Sequence, residues 1–244
     1  MDPRRSFRPI VAIEGPSGAG KTTVVEALSA WAGGIVLCEA FARLLPRPRL
    51  TFGSKIELLK IERRLFDEDC RRFVEARQAQ RRGLLVWLDT DFLGPLSYAA
   101  GLYARKETPW NIVPDLGRIA LERAKARRWG LADVYVYLEV PGLVRRNRAR
   151  GDPTGHPVDL WNRHERVGRF ERRFYLNEFR GILPDRFRVA EGRGTVDQIA
   201  ERILRAVADA AATSNAGSGD ARRVVRSLVL RAEAGGDRIT RARS

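Results

Sequence analysis

Gly15-Pro16-Ser17-Gly18-Ala19-Gly20-Lys21-Thr22 is the stretch from which the rest of the 244-residue chain can be read. It fits G-x-x-x-x-G-K-[ST], the phosphate-binding P-loop. Pro9 to Glu14, before it, is a short apolar run suited to a buried strand. Thr23 to Trp31, after it, carries its apolar residues on one face, as a helix does. Gly15, Gly18 and Gly20 allow backbone angles that side chains forbid, so successive N–H groups can point inward beside a helix N-terminus. Phosphate contacts are expected from Gly15, Ser17, Gly18, Ala19, Gly20, Lys21, Thr22 and Thr23. Lys21 is placed to reach β- and γ-phosphates, and the Thr22 hydroxyl to hold a divalent cation, so ATP and Mg²⁺ are the expected donor and metal. What receives the phosphate is left open by the loop.

Working outward, strands alternate with helices. Ile35–Cys38, Leu84–Leu88, Val134–Leu138 and Phe187–Ala190 read as four further strands. Leu84–Leu88 is continuously apolar, which suits a sheet covered on both faces. Lys55 to Arg82 lacks Gly and Pro and suits one or two amphipathic helices. Further helices are expected over Phe92–Tyr103, Asp115–Trp129, Val140–Arg148, Arg163–Phe179 and Val196–Ala210. The pattern predicts an α/β fold with a five-stranded, mostly parallel sheet and helices on both faces. Residues 1–212 read as this domain. Thr213–Gly219 reads as a flexible linker, and the whole of 213–244 as a flexible basic C-terminal tail.

The formal net charge is +15, and 40 of the 45 basic residues are arginines. Arginine-favouring codons, phosphate-rich small ligands and nucleic acid all fit that charge. No run approaches the roughly 18 apolar residues of a membrane span. Met1 to Arg8 leads straight into a strand, without the apolar core of a secretory signal. Cys38 and Cys70 form no metal spacing, and a reduced cytoplasmic compartment is expected.

Ligands bind parallel sheets at the carboxyl ends of the strands, where Glu39, Asp89 and Asp91 fall. Phosphoryl transfer to an alcohol needs a carboxylate to orient the hydroxyl or take its proton, and acidic help in holding Mg²⁺. Asp89 suits the metal, beside Thr22. A second constellation is Arg145-Arg146-Asn147-Arg148-Ala149-Arg150, followed by the breaker-rich Gly151–Pro157. It reads as an Arg-rich lid, with Arg146 and Arg150 as candidate cations for the migrating phosphoryl group.

These features together resemble the thymidylate kinase-like and nucleoside kinase branch of P-loop kinases, in element order from Pro9 to Ala210. Thymidylate kinases carry Asp-Arg-Tyr after the third strand, then a serine-rich turn and a tyrosine. Here Asp89-Thr90-Asp91-Phe92-Leu93-Gly94-Pro95-Leu96-Ser97-Tyr98 has the same length, with Thr90 in place of the arginine. Asp89-Thr90-Asp91 and Glu39-Ala40-Phe41-Ala42-Arg43 are also similar to bifunctional NadR-type ribosylnicotinamide kinases. The resemblance implies that Glu39 is the general base and that Arg43, Asp91 and Tyr98 contact the acceptor. The acceptor expected is a nucleoside or nucleoside monophosphate; loss of the arginine favours one without its own phosphate, a nucleoside or nucleoside-like alcohol, unless Arg43 or an arginine of the long helix substitutes. A homodimer is compatible with the family. Two alternatives stand beside it: a kinase of another alcohol such as an antibiotic, and a nucleic-acid-associated ATPase.

Overall fold

A computed structural model of the chain describes residues 8–46, 48, 51–150, 158–211 and 220–240. Its centre is β1 (Ile10–Glu14), buried at all five residues. The other strands are β2 (Ile35–Leu37), β3 (Val86–Asp89), β4 (Val134–Glu139) and β5 (Phe187–Glu191). Their order is β2-β3-β1-β4-β5, and every pairing is parallel. A central β1 delivers the glycine loop to the middle of the sheet's carboxyl edge. Ile13 lies opposite Asp89, so β3 brings its terminal carboxylate alongside.

Alternation along the strands sorts the core into two layers. Val11, Ile13, Trp87, Val134 and Val136 face α1 (Lys21–Ala32) and α9 (Val196–Ala211), which bury Val24, Val25, Leu28, Ile199 and Ile203. Ile10, Ala12, Val86, Leu88, Tyr135 and Tyr137 face the other way. That face is covered by α3 (Lys55–Arg81), α4 (Gly94–Ala104), α5 (Val113–Lys125) and α7 (Val158–Arg173). Short α2 (Ala40–Arg43) follows β2, and α6 (Gly142–Arg150) follows β4. The span expected as one or two helices is one 27-residue helix, α3, capped by Ser54, whose side chain accepts from the Glu57 N–H.

Two features depart from expectation. After α7 the chain widens into a π-helical segment, Phe174–Phe179, before the single turn α8 (Arg180–Ile182). The wider turn buries Phe174, Tyr175 and Phe179 together. The second departure corrects the reading of 213–244 as a flexible tail. From Asp220 the chain forms α10 (Asp220–Thr240), packed on α4 and α5. Val224, Val225, Leu228 and Ala232 are buried in the main core. They recur at helical spacing, and that apolar stripe outweighs the surrounding arginines. Gly117 on α5 makes the close approach possible: a Cβ there would lie 3.1 Å from Val225 Cγ1. Arg186 pairs with Asp220 at 3.4 Å, and Arg231 pairs with Glu178. The expected linker 213–219 lies outside the described residues.

Truncation after Ala212 should therefore lower thermal stability strongly. Leu228→Ala alone should cost about 2–5 kcal/mol, the range for a fully buried leucine, read from the shift in denaturant midpoint. A midpoint unchanged by either would place α10 outside the core.

Candidate active site

The glycine loop leaves β1 through Gly15, at φ +148°, where a Cβ would meet the Leu138 carbonyl oxygen at 2.7 Å. Gly18 and Gly20 also have positive φ, 73° and 87°. The loop closes on itself through the Ala19 N–H to the Pro16 carbonyl, 3.1 Å, and passes into α1 at Lys21. Lys21 Nζ donates to the carbonyls of Gly15 (2.9 Å) and Pro16 (3.4 Å), which keeps the ammonium at the loop's mouth. Thr22 Oγ1 donates to Asp89 Oδ2 at 2.6 Å. This hydroxyl–carboxylate pair fits a magnesium ion that keeps most of its shell for water and phosphate oxygens. Among the described residues no cluster of three or more His, Cys, Asp or Glu suits a metal. Thr22 and Asp89 would thus hold Mg²⁺ together with the nucleotide.

The end of β3 is held by one side chain that the sequence did not single out. Arg72 of α3 is fully buried. It donates to the carbonyls of Leu37 (3.4 Å), Asp89 (2.9 Å), Thr90 (3.0 Å) and Asp91 (3.2 Å), and to Asp69 Oδ1 (2.5 Å). The ends of β2 and β3 are thereby tied to one guanidinium. Between them Thr90 is turned to φ +64°, an unusual conformation for a β-branched residue and one often found at functional sites.

Beside the loop lies a cleft of about 270 Å³. Its floor is Gly15, Ser17 and Lys21. Glu39 stands at the end of β2, Glu62 and Asp69 on α3, Tyr98 on α4, His164 and Glu171 on α7. No arginine is among the described residues that line it. Glu14, at the cleft's base, accepts from the Asp91 N–H, and burial pushes its carboxyl up to about 7 against the pull of Lys21. Glu171 accepts from Ser97 Oγ at 2.7 Å, and burial raises it as well. Asp69 is raised to about 6 by burial, despite Arg72.

The expected residues divide. Lys21, Thr22 and Asp89 converge on the loop, and Glu39 and Tyr98 face the cleft. Asp91 does not face it. It is buried, accepts from the Leu93 N–H (2.7 Å) and from the Tyr175 hydroxyl (3.1 Å), and shapes the turn into α4. Arg43 turns away toward α3, pairing with Glu68 (3.0 Å) and Glu75 (2.8 Å). In the arginine run, Arg146 is exposed, and the Arg150 side chain and Gly151–Pro157 lie outside the described residues. Arg145 instead reaches the loop. Its Nη1 donates to the Ser17 carbonyl at 3.4 Å, Nη2 lies 3.6 Å from Glu165, and buried Nε has no partner among the described residues. Glu14, Glu62, Glu171 and Arg72 gave no sequence signal beyond ordinary helix and strand positions.

The AAA domain family matches residues 10–150, from β1 through α6 and more than half of the chain. The chain belongs to that family. No curated protein matches it in sequence. Among solved structures, the M. mycoides deoxyadenosine kinase with bound dATP is 18% identical, with a TM-score of 0.63, covering 80% of this chain and 97% of that one. The same enzyme with dCMP and a flexible dCDP bound is 16% identical, with a TM-score of 0.52, covering 80% and 96%. The fold of this AAA domain is therefore that of the P-loop nucleoside kinases. No helix among the described residues is long and apolar enough to cross a membrane.

Removing the Arg72 guanidinium strands a buried carboxylate and four carbonyls. Arg72→Met should destabilise the fold by about 3–5 kcal/mol, as for other broken buried pairs, measured by chemical denaturation. A loss below about 1 kcal/mol would mean that the strand ends are held by something else.

Proposed function

We propose that the protein is an ATP-dependent phosphotransferase that moves the γ-phosphoryl group to a hydroxyl of a small, unphosphorylated nucleoside-like acceptor. The observation that carries this reading is the adjacency of two unlike compartments. One is a glycine loop with Lys21 and the Thr22–Asp89 pair. The other is an acid-lined cleft beside Lys21. The volume of the cleft, about 270 Å³, suits a small molecule, which disfavours a polynucleotide-driven ATPase.

Each group then has a task. The loop N–H groups and the α1 N-terminus bind the phosphates, and Lys21 moves from the loop carbonyls onto the β/γ oxygens. Thr22 and Asp89 would hold magnesium, which would supply neutralisation of charge on the phosphates. Glu39 orients the acceptor hydroxyl and accepts its proton. Asp89 holds the Thr22 hydroxyl in place. Arg145, already against the Ser17 carbonyl, supplies the cation that Arg146 and Arg150 were expected to supply.

An acceptor phosphate would face carboxylates and find no arginine, losing a charge-assisted contact worth about 1.5–3 kcal/mol. Unphosphorylated acceptors should therefore show higher kcat/KM than their monophosphates in coupled ADP-release assays. Thr90→Arg should shift the preference toward monophosphates. Lys21→Ala and Arg145→Ala should each lower kcat by about 10³-fold or more with the fold intact, and Glu39→Gln by about 10²–10⁴-fold. A native preference for monophosphates, or near-normal turnover by folded Lys21→Ala protein, would overturn the assignment.

A further inference from the structure

One cleft residue is not explained by phosphoryl transfer. Glu62 sits mid-helix on α3, fully buried, among the residues that line the cleft, and neither carboxyl oxygen makes a hydrogen bond. On the facing helix α4, the buried Tyr98 hydroxyl is likewise without a partner. Buried polar groups are nearly always satisfied, and a buried carboxyl group without a partner is costly whether or not it is ionised. Nothing in the fold uses Glu62: it bonds no backbone group and pairs with no cation among the described residues. Two orphaned polar groups, one on α3 and one on α4, lining the same cleft describe a ligand that pairs with both.

The surroundings give the sign of that ligand's charge. Asp69 on α3 and Glu171 on α7 face Glu62 and oppose its ionisation, as burial does. Tyr98 stands across from it on α4, and His164 on α7 lies against the Tyr98 ring at 5.7 Å. Arg163, also on α7, acts on Tyr98, while its guanidinium stacks over Phe52. Lys21 lies at the phosphate end and acts on Glu14 and Glu171. The acidic groups outnumber the basic ones that line the cleft.

We propose that Glu62, with the Tyr98 hydroxyl, is the acceptor-reading pair, and that the acceptor is an alcohol bearing an N–H-donating cation, an ammonium or amidinium. The donors matter as well as the charge. A cation without N–H groups would leave both the carboxylate and the phenol oxygen unpaired. Rejection of an uncharged isostere follows, because the same groups would stay buried and unsatisfied. The inference rests on the phosphotransferase reading for the acceptor's hydroxyl, but its test does not depend on turnover.

Proton linkage provides the test. Burial holds the free Glu62 carboxyl at about 8, so it is protonated at neutral pH. A bound ammonium stabilises the carboxylate, so binding releases a proton below that pH. Affinity then rises with pH up to about 8 and levels off above it. The experiment is calorimetry on the full chain with ethanolamine against ethylene glycol, and with a primary-aminoalkyl nucleoside against its hydroxyalkyl isostere. Each is run in two buffers of different ionisation enthalpy and repeated with Lys21→Ala, which binds without transferring.

The amine of each pair should bind at least about tenfold more tightly, a difference of roughly 1.4 kcal/mol. It should also release close to one proton. Glu62→Gln should abolish both effects, and Tyr98→Phe should weaken binding several-fold. Because Glu62 is kept at a cost to stability, Glu62→Leu should raise the Tm by about 2–4 °C. Equal or better binding of the neutral partners, a preference that survives Glu62→Gln, or no binding by any amine in protein that still binds ATP would overturn the proposal. ADP release with neutral acceptors alone would leave the phosphotransferase reading standing without it.

Discussion

The Arg72 guanidinium is the interaction on which the site's geometry depends. Strand ends expose carbonyls that the sheet cannot satisfy, and here three consecutive ones, of Asp89, Thr90 and Asp91, turn toward a single side chain that also reaches Leu37. Those residues carry or flank the two carboxylates to which the proposed function gives tasks, Glu39 after β2 and Asp89 on β3. A planar fork with five donors can serve so many acceptors at once; a lysine cannot. Asp69 balances the charge, and the Phe92 ring lies 5.6 Å from the guanidinium. The left-handed turn at Thr90 follows from this arrangement: its carbonyl points inward to Arg72 while the residue itself lines the cleft.

Much of this was legible in the sequence, for physical reasons that differ from part to part. The loop was readable because it is local: its glycines, lysine and threonine act through backbone and side chains eight residues apart at most. The parallel sheet was readable because strands covered on both faces are continuous apolar runs. The placement of Glu39 beside the cleft and of Asp89 against Thr22 was readable because both follow or end strands at the sheet's carboxyl edge. Glu62, Arg72 and Glu171 were not. Each lies within a long charged helix, where a carboxylate or arginine normally faces water. Only the packing of α3 and α7 around the cleft shows that these face inward. Asp69 and Arg72, three residues apart, look like an ordinary surface pair and are a buried one.

The misreadings have a common origin in arginine. Forty arginines spread along the chain make most segments look solvated. In α10 they concealed a stripe of Val224, Val225, Leu228 and Ala232 that completes the core. After β4 they made a run of candidates in which Arg146 is exposed and Arg145 is the one that meets the glycine loop. Arg43 was drawn into the acceptor's neighbourhood by the resemblance of Glu39–Arg43 to the NadR-type kinases, yet it pairs with Glu68 and Glu75 on α3. Charge count alone ranks none of these; the carboxylate each arginine meets does.

The same contrast bears on how two polyanion-sensitive compartments sit side by side. The chain as a whole is strongly cationic, which favours the approach of a nucleoside triphosphate from solution. The cleft beside the loop has the opposite local sign, with Glu14, Glu39, Glu62, Asp69 and Glu171 on its walls. On the proposed reading, a phosphate chain is held where the loop N–H groups and Lys21 meet it, while the acceptor end offers it no arginine among the described residues. Burial lets the carboxylates stand this close, since several are raised toward neutrality and share the cleft without full mutual repulsion. The acceptor end stays open to a molecule whose charge can lower those acids again.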